Sequence, residues 1–196
     1  MLIPIVFVVC IVVVVALVIA GLSLQRKFTQ KENLHRELAR RLSLHIAYTS
    51  EKDFTIFGRF RDYPVKVIPF DKIVKPACLC FSVPMINPNL KWLKISKNLS
   101  ENLEAITQND KSIQVNHDLD TDIRIETNDM MFSGLLLSEN VKISIHDTFK
   151  EVTEAILYID GENMNFVMPR QIKAEQDILL STKIIHLMCD MKDELN

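Results

Sequence analysis

Residues 54–70 read Phe-Thr-Ile-Phe-Gly-Arg-Phe-Arg-Asp-Tyr-Pro-Val-Lys-Val-Ile-Pro-Phe, and this stretch decides the fold. Two runs within it, 54–60 and 65–70, have the alternating and β-branched or aromatic composition that is typical of β-strands. Between them, Arg61-Asp-Tyr-Pro64 supplies residues that favour a turn. The stretch therefore predicts a β-hairpin near the start of a folded domain.

Strand patterns continue downstream, and helical periodicity becomes prominent only in the second half of the chain. Because strands cluster first and helices come later, without regular alternation, the order favours an α+β domain of antiparallel sheet with packed helices. The further predicted strands cover residues 77–83, 90–95, 112–116, 122–126, 155–160 and 164–168, and the predicted helices start at Asn128, with a break near Ser138, and around Ile178.

Upstream of the hairpin, residues 1–24 carry no charged side chain. As a helix with a rise of about 1.5 Å per residue, this segment is about 34 Å long, and a bilayer core is about 30 Å thick. The sequence therefore predicts a transmembrane helix that acts as a signal-anchor in a single-pass membrane protein. The alternative is a cleaved signal peptide, with Val18-Ile-Ala20 as the cleavage site. The length of the apolar run and the lack of a basic residue before Arg26 favour a retained span.

A basic segment follows the apolar run, and we predict that it meets the membrane surface. The excess of cations on this side predicts an N-terminus outside the cell membrane and a cytoplasmic domain, by the positive-inside rule. Because no Gly or Pro lies between Gly21 and Gly58, the helix is expected to continue to about Tyr48. Its apolar stripe at Leu34, Leu38, Leu42 and Ile46 is expected to dock on the domain. The basic residues are Arg26, Lys27, Lys31, Arg36, Arg40 and Arg41.

These boundaries divide the chain into a transmembrane helix at 1–24, a basic juxtamembrane amphipathic helix at 25–48 and an α+β domain at 49–196. The whole chain has a formal net charge of −2, and residues 26–41 carry a net charge of +4, so residues 42–196 carry −6. An acidic domain argues against nucleic acid as the main partner. The basic segment is suited to anionic lipid headgroups, and its simpler interpretation is an orientation signal alone.

The sequence predicts no cofactor and no catalytic residue. Glycine-rich loops of the kinds that bind phosphates or dinucleotides are absent. Phe132-Ser-Gly134 lacks the first glycine of a nucleophile elbow. Nucleotide-driven chemistry of the familiar kinds is therefore disfavoured.

A weak candidate for a metal site consists of Cys78, Cys80, His186 and Cys189. The first two thiols share one face of a predicted strand, and the last two side chains share one face of a predicted helix. Four ligands of this type suit a soft metal if the fold brings them together. Isolated cysteines are commonly small buried hydrophobes, so packing is the favoured interpretation.

Acidic and histidine-containing motifs give no stronger signal. The acidic positions Asp118, Asp120, Asp122 and Asp129 superficially resemble a calcium loop. The required glycine is replaced by Ile123, so a solvated acidic turn is expected. The pairs His117-Asp118 and His146-Asp147 lack a nucleophile to activate. Arginines interleave with aromatic residues at 57–63, which is typical of an amphipathic hairpin and less often of nucleic-acid or headgroup binding.

Several segments are similar to bacterial single-span membrane-anchored proteins in which a helix precedes a G-x-[YF]-R-x-x-P-V hairpin. The similar segments are 38–44, 57–65, 119–123 and 135–141. This chain has Asp62 where those proteins usually have glycine. The resemblance implies a terminal span followed by one domain, and it brings no established activity.

Three hypotheses about function follow. The first is a non-catalytic interaction or scaffold domain at the membrane, whose partners are the lipid bilayer and another membrane-associated protein or a second copy of the chain. The second is an enzyme or small-ligand-binding domain, which would show a pocket of convergent ionisable groups. The third is a sensor of anionic lipid surfaces acting through residues 26–41.

Overall fold

The structure is a computed structural model that describes residues 2–48, 54–70, 78–85, 91–104, 113–115, 119, 121–159 and 161–195, with the side chains of 2–12, 24, 27, 28, 70, 101, 102 and 114 left out. Helices and strands within these ranges follow one another from the N-terminus. The helices are α1 (Leu2–Arg41), α2 (Glu101–Glu104), α3 (Met130–Leu136), α4 (Glu139–Lys150) and α5 (Glu175–Asp193). The strands are β1 (His45–Tyr48), β2 (Phe54–Phe60), β3 (Tyr63–Phe70), β4 (Cys78–Pro84), β5 (Leu93–Lys97), β6 (Ile113–Val115), β7 (Ile123–Thr127), β8 (Ala155–Ile159) and β9 (Asn163–Met168).

All nine described strands form one antiparallel sheet in the order β1-β2-β3-β4-β9-β8-β5-β7-β6. The predicted antiparallel α+β architecture is therefore correct for the described part of the chain. The late hairpin β8–β9 inserts between β4 and β5, so strands that are distant in sequence become neighbours. Local pattern predicts each hairpin, and only the folded chain reveals this insertion.

The β2–β3 hairpin is confirmed, with a two-residue turn at Arg61 and Asp62. Both residues have positive φ, 48° and 65°. Positive φ at both central positions is the signature of a type I′ turn, whose twist matches that of the strands. In β2, Gly58 has a φ of 154°, and a Cβ added at this position would lie 3.0 Å from Leu44 Cδ2.

The sheet separates two unequal apolar clusters. The larger contains the buried residues of α1, α3, α4 and α5 together with one face of the sheet, for example Leu79 and Phe81 of β4. The smaller cluster lies on the opposite face and includes Cys78, Cys80 and Leu103. Alternation along β4 assigns its neighbouring residues to opposite faces. Helices α1, α3, α4 and α5 therefore cover one face of the sheet, and α2 lies on the other.

The prediction of a transmembrane helix at 1–24 is contradicted. Within the described part of the chain, no helix combines the length and the apolar character that crossing a bilayer requires. The side chains of residues 2–12 lie outside the described set. The same finding contradicts the predicted signal-anchor, the single-pass cell-membrane location and the orientation with a cytoplasmic domain.

Helix α1 ends at Arg41, whereas the sequence suggested a helix to about Tyr48. Ser43 adopts a left-handed conformation with φ of 54°. The Leu44 amide donates to the Ala39 carbonyl at 2.8 Å and the Ser43 amide donates to the Arg40 carbonyl at 3.1 Å. This pair of bonds is a Schellman motif, which usually carries glycine at the left-handed position. A helix stop without glycine left no signal in the sequence, and residues 45–48 form β1.

The predicted docking of the apolar stripe of α1 is confirmed. Leu38, Ala39 and Leu42 are buried, and Leu34 packs against the main cluster. The predicted break near Ser138 is also confirmed, because this residue caps α4 with its hydroxyl. The cap of α3 is Asp129, one residue after the predicted Asn128.

Candidate functional site

Several basic residues near the end of α1 pair with acidic neighbours on the same helix. Arg36 pairs with Glu32. Glu37 accepts from Arg40 at 2.8 Å and from Arg41 at 2.9 Å. These hydrogen bonds lower the pKa of Glu37 to about 2, and the bond from Arg40 has the largest effect. Glu32 and Glu37 therefore offset part of the charge of these arginines, and residues 26–41 keep a net charge of +4.

The remaining basic positions differ in what the structure describes. Arg26 is exposed and Lys31 is partly buried, whereas the side chain of Lys27 lies outside the described set. Arg41 extends from α1 to Glu175 of α5 at 2.7 Å. This contact ties the end of α1 to the start of α5, so at least one residue of the segment stabilises the fold.

The four metal candidates do not converge. Cys78 and Cys80 belong to the small cluster, and Cys189 belongs to the main cluster on the opposite face of the sheet. The sheet therefore stands between the two pairs. No set of three or more His, Cys, Asp or Glu among the described residues has an arrangement that could hold a metal ion. Burial raises the pKa of the Cys189 thiol to about 11, which keeps it protonated at neutral pH.

His186 belongs instead to a polar contact between the β2–β3 turn and α5. Arg61 donates from Nη2 to His186 Nδ1 at 2.8 Å and forms an ion pair with Asp190. The rings of Phe60 and His186 meet edge to face, with centroids 4.9 Å apart. Burial, followed by the Arg61 charge, lowers the pKa of His186. The arginines and aromatic residues of this hairpin thus fasten it to the terminal helix.

The acidic and histidine motifs remain ordinary surface features where they are described. Asp118, Asp120 and His117 lie outside the described residues. Asp122 precedes β7, in which Ile123 takes its place as a strand residue. His146 lies 3.4 Å from Asp147 on an exposed part of α4.

Besides the exposed apolar residues between Val13 and Leu22 of α1, a second exposed apolar patch lies on α3. Met130, Met131 and Leu135 are 52%, 80% and 60% exposed, which is unusual for three large apolar side chains on one short helix. Residues 131 and 135 are four apart and share one helix face. We call these three residues the α3 patch. Such a patch with a polar surround is typical of protein interaction sites, and methionine adapts readily to partner surfaces.

The local sequence holds α3 with its patch outward. Asp129 accepts from the Phe132 amide at 2.9 Å and caps the helix, and this bond, aided by Lys91, lowers the pKa of Asp129. Lys91 Nζ lies 3.0 Å from Asp129 Oδ2. Phe132 and Leu136 are buried and anchor the opposite side of the helix in the main cluster. The sequence predicts an apolar helix here, but its pattern does not indicate that Met131 and Leu135 lie on the exposed side.

A polar cavity of about 410 Å³ lies at β5 and β7, on the sheet face away from the main helices. The charged groups along its wall include both signs. The residues of this site are spread over three segments of the sequence, so no local motif predicts it. Alternation along two strands is the one signal that some of these residues share a face. The lining includes Lys94, Ser96, Glu104, Asp122, Arg124 and Glu126.

Comparison with protein families finds no matching family, and comparison with curated proteins finds no matching relative. Among solved structures, the crystal structure of the mycobacterial trehalose monomycolate transport factor A, TtfA, resembles this chain with a TM-score of 0.58. The likeness covers 82% of this chain and 92% of TtfA, at 7% sequence identity. At that identity the similarity shows a shared fold and nothing further about activity.

Proposed function

We propose that the chain is a non-catalytic interaction domain that binds another protein through the α3 patch. The observation that carries this proposal is the exposure of Met130, Met131 and Leu135 on a helix whose opposite side is anchored in the core. Exposed large apolar groups in water are unfavourable by about 25 cal/mol per Å², so burial against a partner stabilises a complex. The structural neighbour is named a transport factor, and a factor that acts through protein contacts is compatible with that analogy.

The chemistry around the patch specifies the partner. Glu139, whose side chain is 85% exposed beside α3, pairs with Lys142, and the domain from residue 42 onward carries a net charge of −6. A complementary partner presents an apolar ridge flanked by lysine or arginine. Opposite charge at the rim raises the association rate and sets orientation, while the buried apolar centre supplies most of the affinity.

The test is capture of partners by the tagged full-length chain from lightly crosslinked cells, with three variants in parallel. Met131→Asp and Leu135→Asp place a charge in the centre of the patch. Leu179→Asp is the matched control, because this residue is a 49% exposed leucine on α5. We expect one protein to be enriched by the parent chain and by the control, and to be lost with both patch variants.

Two results would overturn the proposal. One is a partner that is retained when both patch positions carry aspartate. The other is recovery of the chain alone, with patch-dependent dimers in sedimentation analysis, which would assign the patch to self-association. Circular dichroism of each variant verifies that a lost partner reflects the surface and not unfolding.

A further inference from the structure

We infer that the polar cavity at β5 and β7 binds a small zwitterion of the α-amino-acid type, which carries one carboxylate and one ammonium group. This inference goes beyond the proposed function, because it concerns a different face of the sheet and a different kind of ligand. The α3 patch contributes nothing to it.

The strand register creates the site. Ser96 pairs with Arg124, and Lys94 pairs with Glu126, across β5 and β7. Residues directly opposite each other in an antiparallel pair place their side chains on the same face, about 5 Å apart at Cβ. The cavity wall therefore carries a block of four polar side chains from two adjacent strands near one edge of the sheet.

Charge pairing within this block leaves two groups of opposite sign available. Lys94 Nζ lies 3.2 Å from Glu126 Oε2, and Asp122 lies 3.6 Å from Lys97 Nζ. By contrast, the side chains of Arg124 and Glu104 make no ion pair or hydrogen bond with any part of the chain that the structure describes. One cavity thus presents a guanidinium and a carboxylate that have no partner among the described residues.

Burial distinguishes the Lys94 and Ser96 side of this cavity from an ordinary charged surface, whereas Arg124 and Glu104 are exposed to an incoming ligand. Lys94 is 9% exposed and Ser96 is 4% exposed, although both lie on the face away from the main helices. Lysine is rarely buried to this degree unless it is paired, and a serine hydroxyl beside it offers one more donor or acceptor. The volume of about 410 Å³ is within the range of about 300–1,000 Å³ that small-molecule sites occupy.

The two unpaired groups select the ligand class. A guanidinium binds a carboxylate through two parallel hydrogen bonds, and Ser96, which pairs with Arg124 across the strands, offers a hydroxyl on the same face. Glu104 complements an ammonium group. A simple anion would meet three carboxylates, at positions 104, 122 and 126, and a simple cation would meet Lys94 and Arg124. A molecule that carries both charges satisfies both groups at once.

The test is isothermal titration calorimetry of the full chain with each of the standard L-α-amino acids. For any that binds, the methyl ester removes the carboxylate charge and the N-acetyl derivative removes the ammonium. The variants are Arg124→Gln and Glu104→Gln, and the matched controls are the exposed residues Arg26→Gln and Glu162→Gln. Maltose is titrated as a neutral polyhydroxylated probe.

We expect at least one amino acid to bind, with a Kd that rises at least tenfold in each cavity variant and not in the controls. Arg124→Gln should also remove the preference for the acid over its methyl ester, a readout that loss of fold would not produce. Three results would overturn the inference: no amino acid binds, binding persists in both cavity variants, or maltose binds more tightly than every amino acid.

Discussion

His35 should make the stability of this chain depend on pH. The imidazole is 3% exposed on α1 and stacks on the ring of Phe54, with centroids 3.8 Å apart. Neither ring nitrogen has a hydrogen-bond partner among the described residues. Burial, and secondarily the charge of Lys31, lowers the pKa of His35 to about 4. Protonation in the folded state is therefore strongly disfavoured.

The sign and size of the effect follow from proton binding. In the unfolded chain His35 has its ordinary pKa of about 6.5, so below that pH the unfolded state binds a proton that the folded state excludes. The contribution of His35 is fully present above about pH 6.5 and is lost as the pH falls towards about 4. The free energy of unfolding should drop by about 2 kcal/mol between about pH 8 and about pH 5, and by about 3.4 kcal/mol in full.

The measurement is urea unfolding of the parent chain and of His35→Leu, with the fluorescence of Trp92, the single tryptophan, as the signal. At about pH 8 the variant should be more stable by about 1–3 kcal/mol, because it removes a buried donor without a partner. Its advantage should grow by about 2 kcal/mol at about pH 5. His186→Gln is the control for the second histidine with a lowered pKa. An advantage that stays constant between the two pH values would refute the reasoning.

Further predictions concern single side chains. Asp177→Ala should lower the free energy of unfolding by about 3 kcal/mol in urea titration. The reason is that the buried carboxylate accepts hydrogen bonds from two backbone amides and pairs with Arg170 at 2.6 Å. A loss below about 1 kcal/mol would contradict this role. Gly58→Ala should lower the melting temperature and the free energy of unfolding, the latter by about 1–3 kcal/mol, because Gly58 has a φ of 154° and Leu44 approaches it closely. The matched Gly134→Ala, whose added Cβ has nothing within 4 Å, should raise the free energy of unfolding by about 0.5–1 kcal/mol. Equal effects at the two glycines would refute the distinction.

The hairpins were predictable because their information is local. In residues 54–70 strand composition and turn residues lie next to each other, so no distant contact is needed to place β2 and β3. The break at Ser138 was predictable for the same reason, since a serine cap is a property of one residue and the amide three positions later. Such features survive in the sequence whatever the tertiary fold.

The errors arose where tertiary structure decides. The end of α1 depends on Ser43 in a left-handed conformation, which the burial of Leu44 against the sheet favours over continued helix. The proposed metal set failed because strand alternation places Cys78 and Cys80 on the face opposite Cys189. The cavity required the pairing of β5 with β7, which are separated by α2 and β6 in the sequence. No local pattern specifies that pairing.

Strand β7 links the α3 patch and the cavity, yet we expect the two sites to act independently. Arg124 faces the cavity, Ile125 enters the main cluster, and Asp129 caps α3 immediately after the strand. Transmission between sites requires an element with two alternative arrangements. Here Thr127 Oγ1 donates to the Trp92 carbonyl at 2.7 Å, and pairing with β5 fixes the register.

Substitutions at the two sites should therefore be additive. Met131→Asp should change the Kd of the cavity for its amino acid by no more than about twofold, the usual limit for sites without shared contacts. Arg124→Gln should leave partner capture unchanged. The same calorimetric titration and the same capture experiment measure both effects. A change of about tenfold in either direction would show that β7 moves between two arrangements, and the interaction domain would then respond to its small ligand.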